Sequence, residues 1–150
     1  MKAEELARWV RAEHEKVGEL MARLEDRVNC APKANQGQWL DEARKDFGHF
    51  RAHITKHMAL EEQDGYMVPV TERRPALSRQ VERLAHEHKE FTRMLDNIHI
   101  LLEEMKVEDQ LLIRDCCHRI HDLLSYIEHH QNEENLMVLS VFTDDIGTTD

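Results

Sequence analysis

Four histidines and two glutamates recur in a doubled pattern. In each copy a Glu-His pair is followed 42 or 43 residues later by a His-x-x-x-Glu: His14, then His57 and Glu61, and again His88, then His130 and Glu134. Imidazole and carboxylate suit iron, manganese or zinc, and the lack of thiolates in the pattern disfavours copper(I) or a structural zinc cluster. In a His-x-x-x-Glu on a helix, imidazole and carboxylate lie one turn apart on one face and aim at the same space. Two carboxylates from opposed helices can bridge two ions, each capped by about two imidazoles. Two-metal sites of this kind have spacings of ~3.5–4 Å.

Helices must position these residues, and apolar residues recur with the alternating steps of three and four that mark a helical seam. One stripe runs Leu6, Val10, His14, Val17, Met21, Leu24, and a second runs Phe47, Phe50, Ile54, His57, Glu61. A third runs Val81, Leu84, His88, Phe91, Leu95, Ile98, and a fourth Ile120, Leu123, Ile127, His130, Glu134, Met137. The spacing predicts helices near 2–28, 38–63, 75–104 and 109–140, in a single domain over 1–150. Breaks support this division: Asn29 to Gly37, then Asp64-Gly65 with Pro69 and Pro75, then Met105 to Asp109. Glycine at 65 is expected to serve a left-handed helix cap, and Pro75 the first turn of the third helix. The tail from Asp144 is expected to fray. Short connections join antiparallel neighbours, so the fold class is all-α, an up-down-up-down antiparallel four-helix bundle.

The stripes also select among neighbouring candidates. His130 and Glu134 keep step where His129 and Glu133 do not, His88 keeps step where His86 does not, and Glu61 keeps step where Glu62 does not. All six selected residues fall at similar heights, in the half of the bundle that holds the chain ends. A carboxylate in an apolar core must be paired, protonated or bound to a cation. Among the other histidines, His53 is a candidate fifth ligand or outer partner, His49 flanks its stripe, and His99, His118 and His121 read as surface residues. Tyr126, one turn before His130, is a candidate hydrogen-bond donor to the site, and Trp9 reads as a packing residue.

Composition bounds the rest. Only 5% of the 150 residues are aromatic, with three prolines, five glycines and a net charge of −10. That is helical-bundle composition, and the acidity argues against nucleic acid or an anionic membrane as partner. No apolar run is long enough to span a bilayer, and the charged start lacks a signal-peptide core, so a cytoplasmic protein is expected. Cys30, Cys116 and Cys117 lack Cys-x-x-Cys spacing and suit a reducing compartment. Cys116 falls on the fourth stripe, and Cys117 with His118 and His121 lacks a fourth zinc ligand.

The segments Ala12-Glu-His-Glu-Lys-Val17, His57-Met-Ala-Leu-Glu-Glu62, Glu87-His-Lys-Glu-Phe91 and His130-Gln-Asn-Glu-Glu-Asn-Leu-Met137 resemble the hemerythrin-like, His-His-Glu cation-binding family. The resemblance covers nearly the whole chain and lies in the order and spacing of short motifs. It implies a non-haem di-iron centre in a four-helix bundle, with two irons bridged by the two glutamates and often by an oxo or hydroxo group. It implies as partner a diatomic gas, dioxygen or nitric oxide, or peroxide. One departure bears on function: oxygen-carrying members have a His-x-x-x-His on the third helix, where this chain has Leu84 and His88. The resemblance then leans towards four-histidine members associated with nitric oxide and redox stress. Two other readings stand beside a gas-binding or sensing protein. One is a di-iron enzyme or an iron donor in the repair of damaged iron centres, and the other is a metal-free or zinc-bound interaction bundle.

Overall fold

The computed structural model describes residues 2–29 and 34–147, so Cys30 lies outside the described residues. Four long helices, α1 (Ala3–Asn29), α2 (Gln36–Gln63), α4 (Ser78–Glu104) and α5 (Gln110–Gly147), carry the four stripes. A short helix, α3 (Met67–Arg73), occupies the second connection, and a 3-10 turn at Pro75–Leu77 leads from it into α4. No strand occurs among the described residues. The helices pack in a square: α1 against α2 and α5, and α4 against α2 and α5. The up-down-up-down bundle expected from the stripes is the fold observed.

The connections depart from expectation in instructive ways. Pro69 sits in the first turn of α3, where a missing N–H costs no intrahelical bond. Gly65 does not adopt a left-handed backbone, since no glycine among the described residues has positive φ. Its role is close approach: a Cβ there would sit 2.6 Å from Glu61 Cα and 2.9 Å from the Leu60 carbonyl oxygen. Asn35, not a glycine, takes the left-handed conformation, at φ 57° before α2. The third break has neither Gly nor Pro because a distant side chain caps it. The Arg44 guanidinium donates to the carbonyls of Leu102 and Met105, both at 2.8 Å, at the end of α4.

Helix α5 continues to Gly147, past the expected frayed start at Asp144. Nothing before Gly147 breaks it, and Val141 and Phe142 are buried. The Arg73 guanidinium lies 4.8 Å over the Phe142 ring, tying α5 to α3. A second buried column also runs along α5, formed by Cys117, Leu124, Gln131 and Val138 at seven-residue spacing. This column faces α1 and shifts the buried arc of α5 away from Tyr126, which is 55% exposed.

The apolar core is divided. A larger cluster includes Val17, Phe47, Ile54, Phe91, Leu95 and Ile127. A smaller one includes Leu6, Val10, Tyr66, Leu84, Met137 and Val141. On three helices the histidines and glutamates of the doubled pattern lie between them: His14 between Val10 and Val17, His88 between Leu84 and Phe91, and His130 and Glu134 between Ile127 and Met137; on α2, His57 and Glu61 follow Ile54 near the end of the helix.

Candidate metal centre

All six residues of the doubled pattern meet in this polar layer, and none is more than 8% exposed. Their ligand atoms form two overlapping groups. His14, His57, Glu61 and Glu134 make one, and Glu61, His88, His130 and Glu134 make the other, with both carboxylates shared. Glu61 Oε1 lies 3.1 Å from His57 Nε2 and 3.4 Å from His88 Nε2, while its Oε2 lies 3.5 Å from His14 Nε2. Glu134 Oε1 lies 3.5 Å from His14 Nε2 and 3.3 Å from His130 Nε2, and its Oε2 lies 4.0 Å from His88 Nε2. The Nε2 atoms of His88 and His130 are 3.1 Å apart. Donors on one ion with metal–ligand bonds of ~2.0–2.2 Å stand about 3 to 3.5 Å apart, so the separations within each of the two groups suit an ion.

The polar atoms themselves test the fit. His14 Nε2, His57 Nε2, Glu61 Oε2 and Glu134 Oε1 are buried and have no hydrogen-bond partner. Buried polar atoms are ordinarily satisfied, and leaving one unpaired costs ~1–3 kcal/mol. Four inward-facing orphans from three helices can be satisfied together by cations at their common centre. Imidazole and carboxylate donors without a thiolate suit hard or borderline divalent and trivalent ions.

The outer nitrogens are held by residues the stripes passed over. His57 Nδ1 lies 3.2 Å from Glu13 Oε2, and His130 Nδ1 lies 2.8 Å from Glu87 Oε1. His14 Nδ1 lies 2.6 Å from Asn135 Oδ1, and His88 Nδ1 lies 3.4 Å from Glu62 Oε2, too poorly aligned for a hydrogen bond. The arrangement repeats: the glutamate of each Glu-His pair orients the imidazole of the following His-x-x-x-Glu, and the residue after each terminal glutamate faces the lone histidine of the other copy. A carboxylate or amide behind a ligating histidine fixes its tautomer and ring angle. Aromatic rings brace two imidazoles further: Trp9 stacks on His57 with centroids 6.0 Å apart, and Phe91 meets His130 edge-on at 5.1 Å.

Tyr66, from the tight connection after α2, is fully buried and donates its hydroxyl to Glu134 Oε2. No periodic signal marks it, because it lies in no long helix. Tyr126, the tyrosine singled out from sequence, points away instead. His53 reaches the outer layer only, with its Nε2 3.6 Å from Glu13 Oε2. His86 and His129 are exposed beside Glu90 and Glu133. Cys116 and Cys117 are buried free thiols, while His118 is exposed and His121 is exposed beside Glu25, so these four form no metal site. Burial pushes the Cys116 thiol up to about 12.

The network is strongly polarised. Burial disfavours the His14 imidazolium, but the carboxylates of Glu134 and Glu61, each 3.5 Å from its Nε2, outweigh it and raise the pKa to about 10. Burial likewise opposes charge on His130, and Glu134 with Glu87 raises it to about 9. His57 is raised against burial by Glu61. Burial alone would raise Glu61; contacts with His14, His57 and His88 hold it well below the usual carboxylate range. Tyr66 is pushed up, first by burial and then by Glu134 and Glu61, so it stays a protonated donor. Tyr66→Phe removes that donor from a buried carboxylate. The expected cost is ~1.5–3 kcal/mol, a fall in Tm of roughly 3–10 °C for chelator-treated protein followed by circular dichroism.

A model of the hemerythrin HHE cation-binding domain matches residues 5–142. The chain belongs to that family. Neither a curated protein nor a solved structure matches it. The hemerythrin match spans all four long helices and both copies of the doubled pattern. With the buried His/Glu cluster, it makes this a metal-binding bundle. No helix among the described residues is long and apolar enough to cross a membrane.

Proposed function

We propose that this hemerythrin-family chain is a cytoplasmic, non-haem di-iron protein that binds or senses a small ligand, a diatomic gas or peroxide. His14 and His57 would hold one ion and His88 and His130 the other, with Glu61 and Glu134 shared between them. The observation that carries this reading is the convergence of four unpartnered buried donor atoms on one layer. Two imidazoles and two shared carboxylates supply about four donors per ion, fewer than iron's preferred six. Such a pair of ions, when bound, supplies electrons and open coordination positions to a small molecule.

The chain's own residues do the rest. Glu13, Glu87 and Asn135 hold three imidazoles with their inner nitrogens facing the centre. Tyr66 donates a hydrogen bond to the outer oxygen of Glu134 and so fixes that carboxylate. Ile54, Met58, Phe91 and Ile127 line the inner cavity and exclude bulk water. That cavity is only about 10 Å³ and is lined by His57, Glu61, His88, His130 and Glu134, so it is space that the ions themselves would take. Leu84 is fully buried in the smaller apolar cluster, so no histidine stands where oxygen carriers have their fifth. This favours nitric oxide or peroxide over reversible dioxygen carriage.

Protein purified from iron-supplemented cells is expected to carry about two irons per chain by mass spectrometry. Its absorption spectrum should change on addition of nitric oxide or peroxide. Folded protein that takes up no metal, and is not destabilised by chelator, would establish the metal-free interaction bundle instead.

A further inference from the structure

A groove of about 800 Å³ runs between α1 and α5, and His14 and Asn135 line its floor. The inner cavity at the polar layer is separate from it. Among the described residues, Gln131 alone lines both. It is 6% exposed, and its Nε2 is buried without a hydrogen-bond partner. It also interrupts the column of Cys117, Leu124 and Val138, where an apolar side chain would fit without that penalty. An unpaired amide donor here, one residue after His130, is unfavourable for the resting bundle and calls for a ligand.

We infer that Gln131 is the inner gate of a ligand route. Small ligands enter the α1–α5 groove, pass the Gln131 carboxamide, and receive a hydrogen bond from its Nε2 once bound beside His130. Gln131 is the residue common to the groove and the inner layer, so the route narrows there. The donor selects for chemistry, favouring a ligand whose bound atom accepts a hydrogen bond. Gln131 is thereby a positioning and specificity-determining residue. The inference rests on the two-ion reading above.

Azide, a small anion with a charge-transfer band on ferric iron, is the probe. Iron-loaded Gln131→Leu should keep its metal content and bind azide roughly 10-fold or more weakly, the loss of one charge-assisted hydrogen bond. Gln131→Ala should open the route and raise the azide association rate. Metal-free Gln131→Leu should melt at or above the temperature of the unaltered protein, because an unpaired buried donor has been removed; a merely structural glutamine would show a fall. Full metal loading with azide affinity and rates unchanged in both variants overturns the inference alone, as does a clear fall in the metal-free melting temperature. Absence of metal from the unaltered protein overturns the two-ion reading and this inference together.

Discussion

Glu61→Ala should empty both ion positions, whereas His57→Ala should empty one. Glu61 approaches His57 and His88 through Oε1 and His14 through Oε2, so it belongs to both ligand groups. His57 belongs to one group only. Mass spectrometry of purified protein should therefore read about zero ions per chain for Glu61→Ala and about one for His57→Ala, against two for the unaltered chain. The helices should survive, because two apolar clusters hold the bundle on either side of the layer. Glu61→Ala also removes the carboxylate that chiefly raises His57 and one of the two that raise His14, Glu134 being the other. Helical Glu61→Ala protein that still holds two ions would falsify the shared-carboxylate geometry.

Metal loading at pH 7 should release protons, with an affinity that climbs steeply with pH. A coordinating imidazole nitrogen carries no proton. Yet in the metal-free bundle His14 titrates at about 10 and His130 at about 9, so both are imidazolium at pH 7. At least two protons must leave, one for each ion, so the apparent affinity for each ion should strengthen by roughly 10-fold per pH unit as pH rises from 7 towards 9. An indicator dye in weak buffer measures the release directly. The stability of the metal-free protein follows from the same shifts. The raised histidines contribute stability that is full below their ordinary value of 6.5 and is lost as pH rises through about 9 to 10. Glu61, held low, contributes above its ordinary 4.5, and that contribution is lost as pH falls further. The metal-free bundle is then most stable between those two ordinary values, and loading moves the optimum upward. Two ions bound at pH 7 with no proton released would refute this account.

The six inner residues were legible in the sequence because each stands on a helical stripe, where burial forces an explanation on a charged side chain. Their outer partners were not. Glu13 and Glu87 stand beside His14 and His88 in the chain, so each points about 100° around the helix from its neighbour. What they touch depends on which helix lies on that side. The repeated Glu-His pair was visible as a pattern, but the role of its glutamate needs the square packing of α1, α2, α4 and α5. Tyr66 sits in a three-residue connection without periodicity, and the close backbone approach that Gly65 permits there has no signature in sequence. Tyr126 misled because the fourth stripe marks only one side of the buried arc. The Leu124–Gln131–Val138 column widens that arc towards α1 and leaves Tyr126 on the solvent side.

The division of the core by a polar layer also sets how the molecule comes apart. The two apolar clusters do not merge across the histidines and glutamates, so α1, α4 and α5, which enter both, and the layer itself transmit order between them. The smaller cluster, with Tyr66 and the α3 connection, is the natural unit of local opening. Cations in the layer would act as a clasp between the two blocks, and their loss would leave the smaller block free to open while the larger stays closed. The site is then the joint between the two blocks of the core.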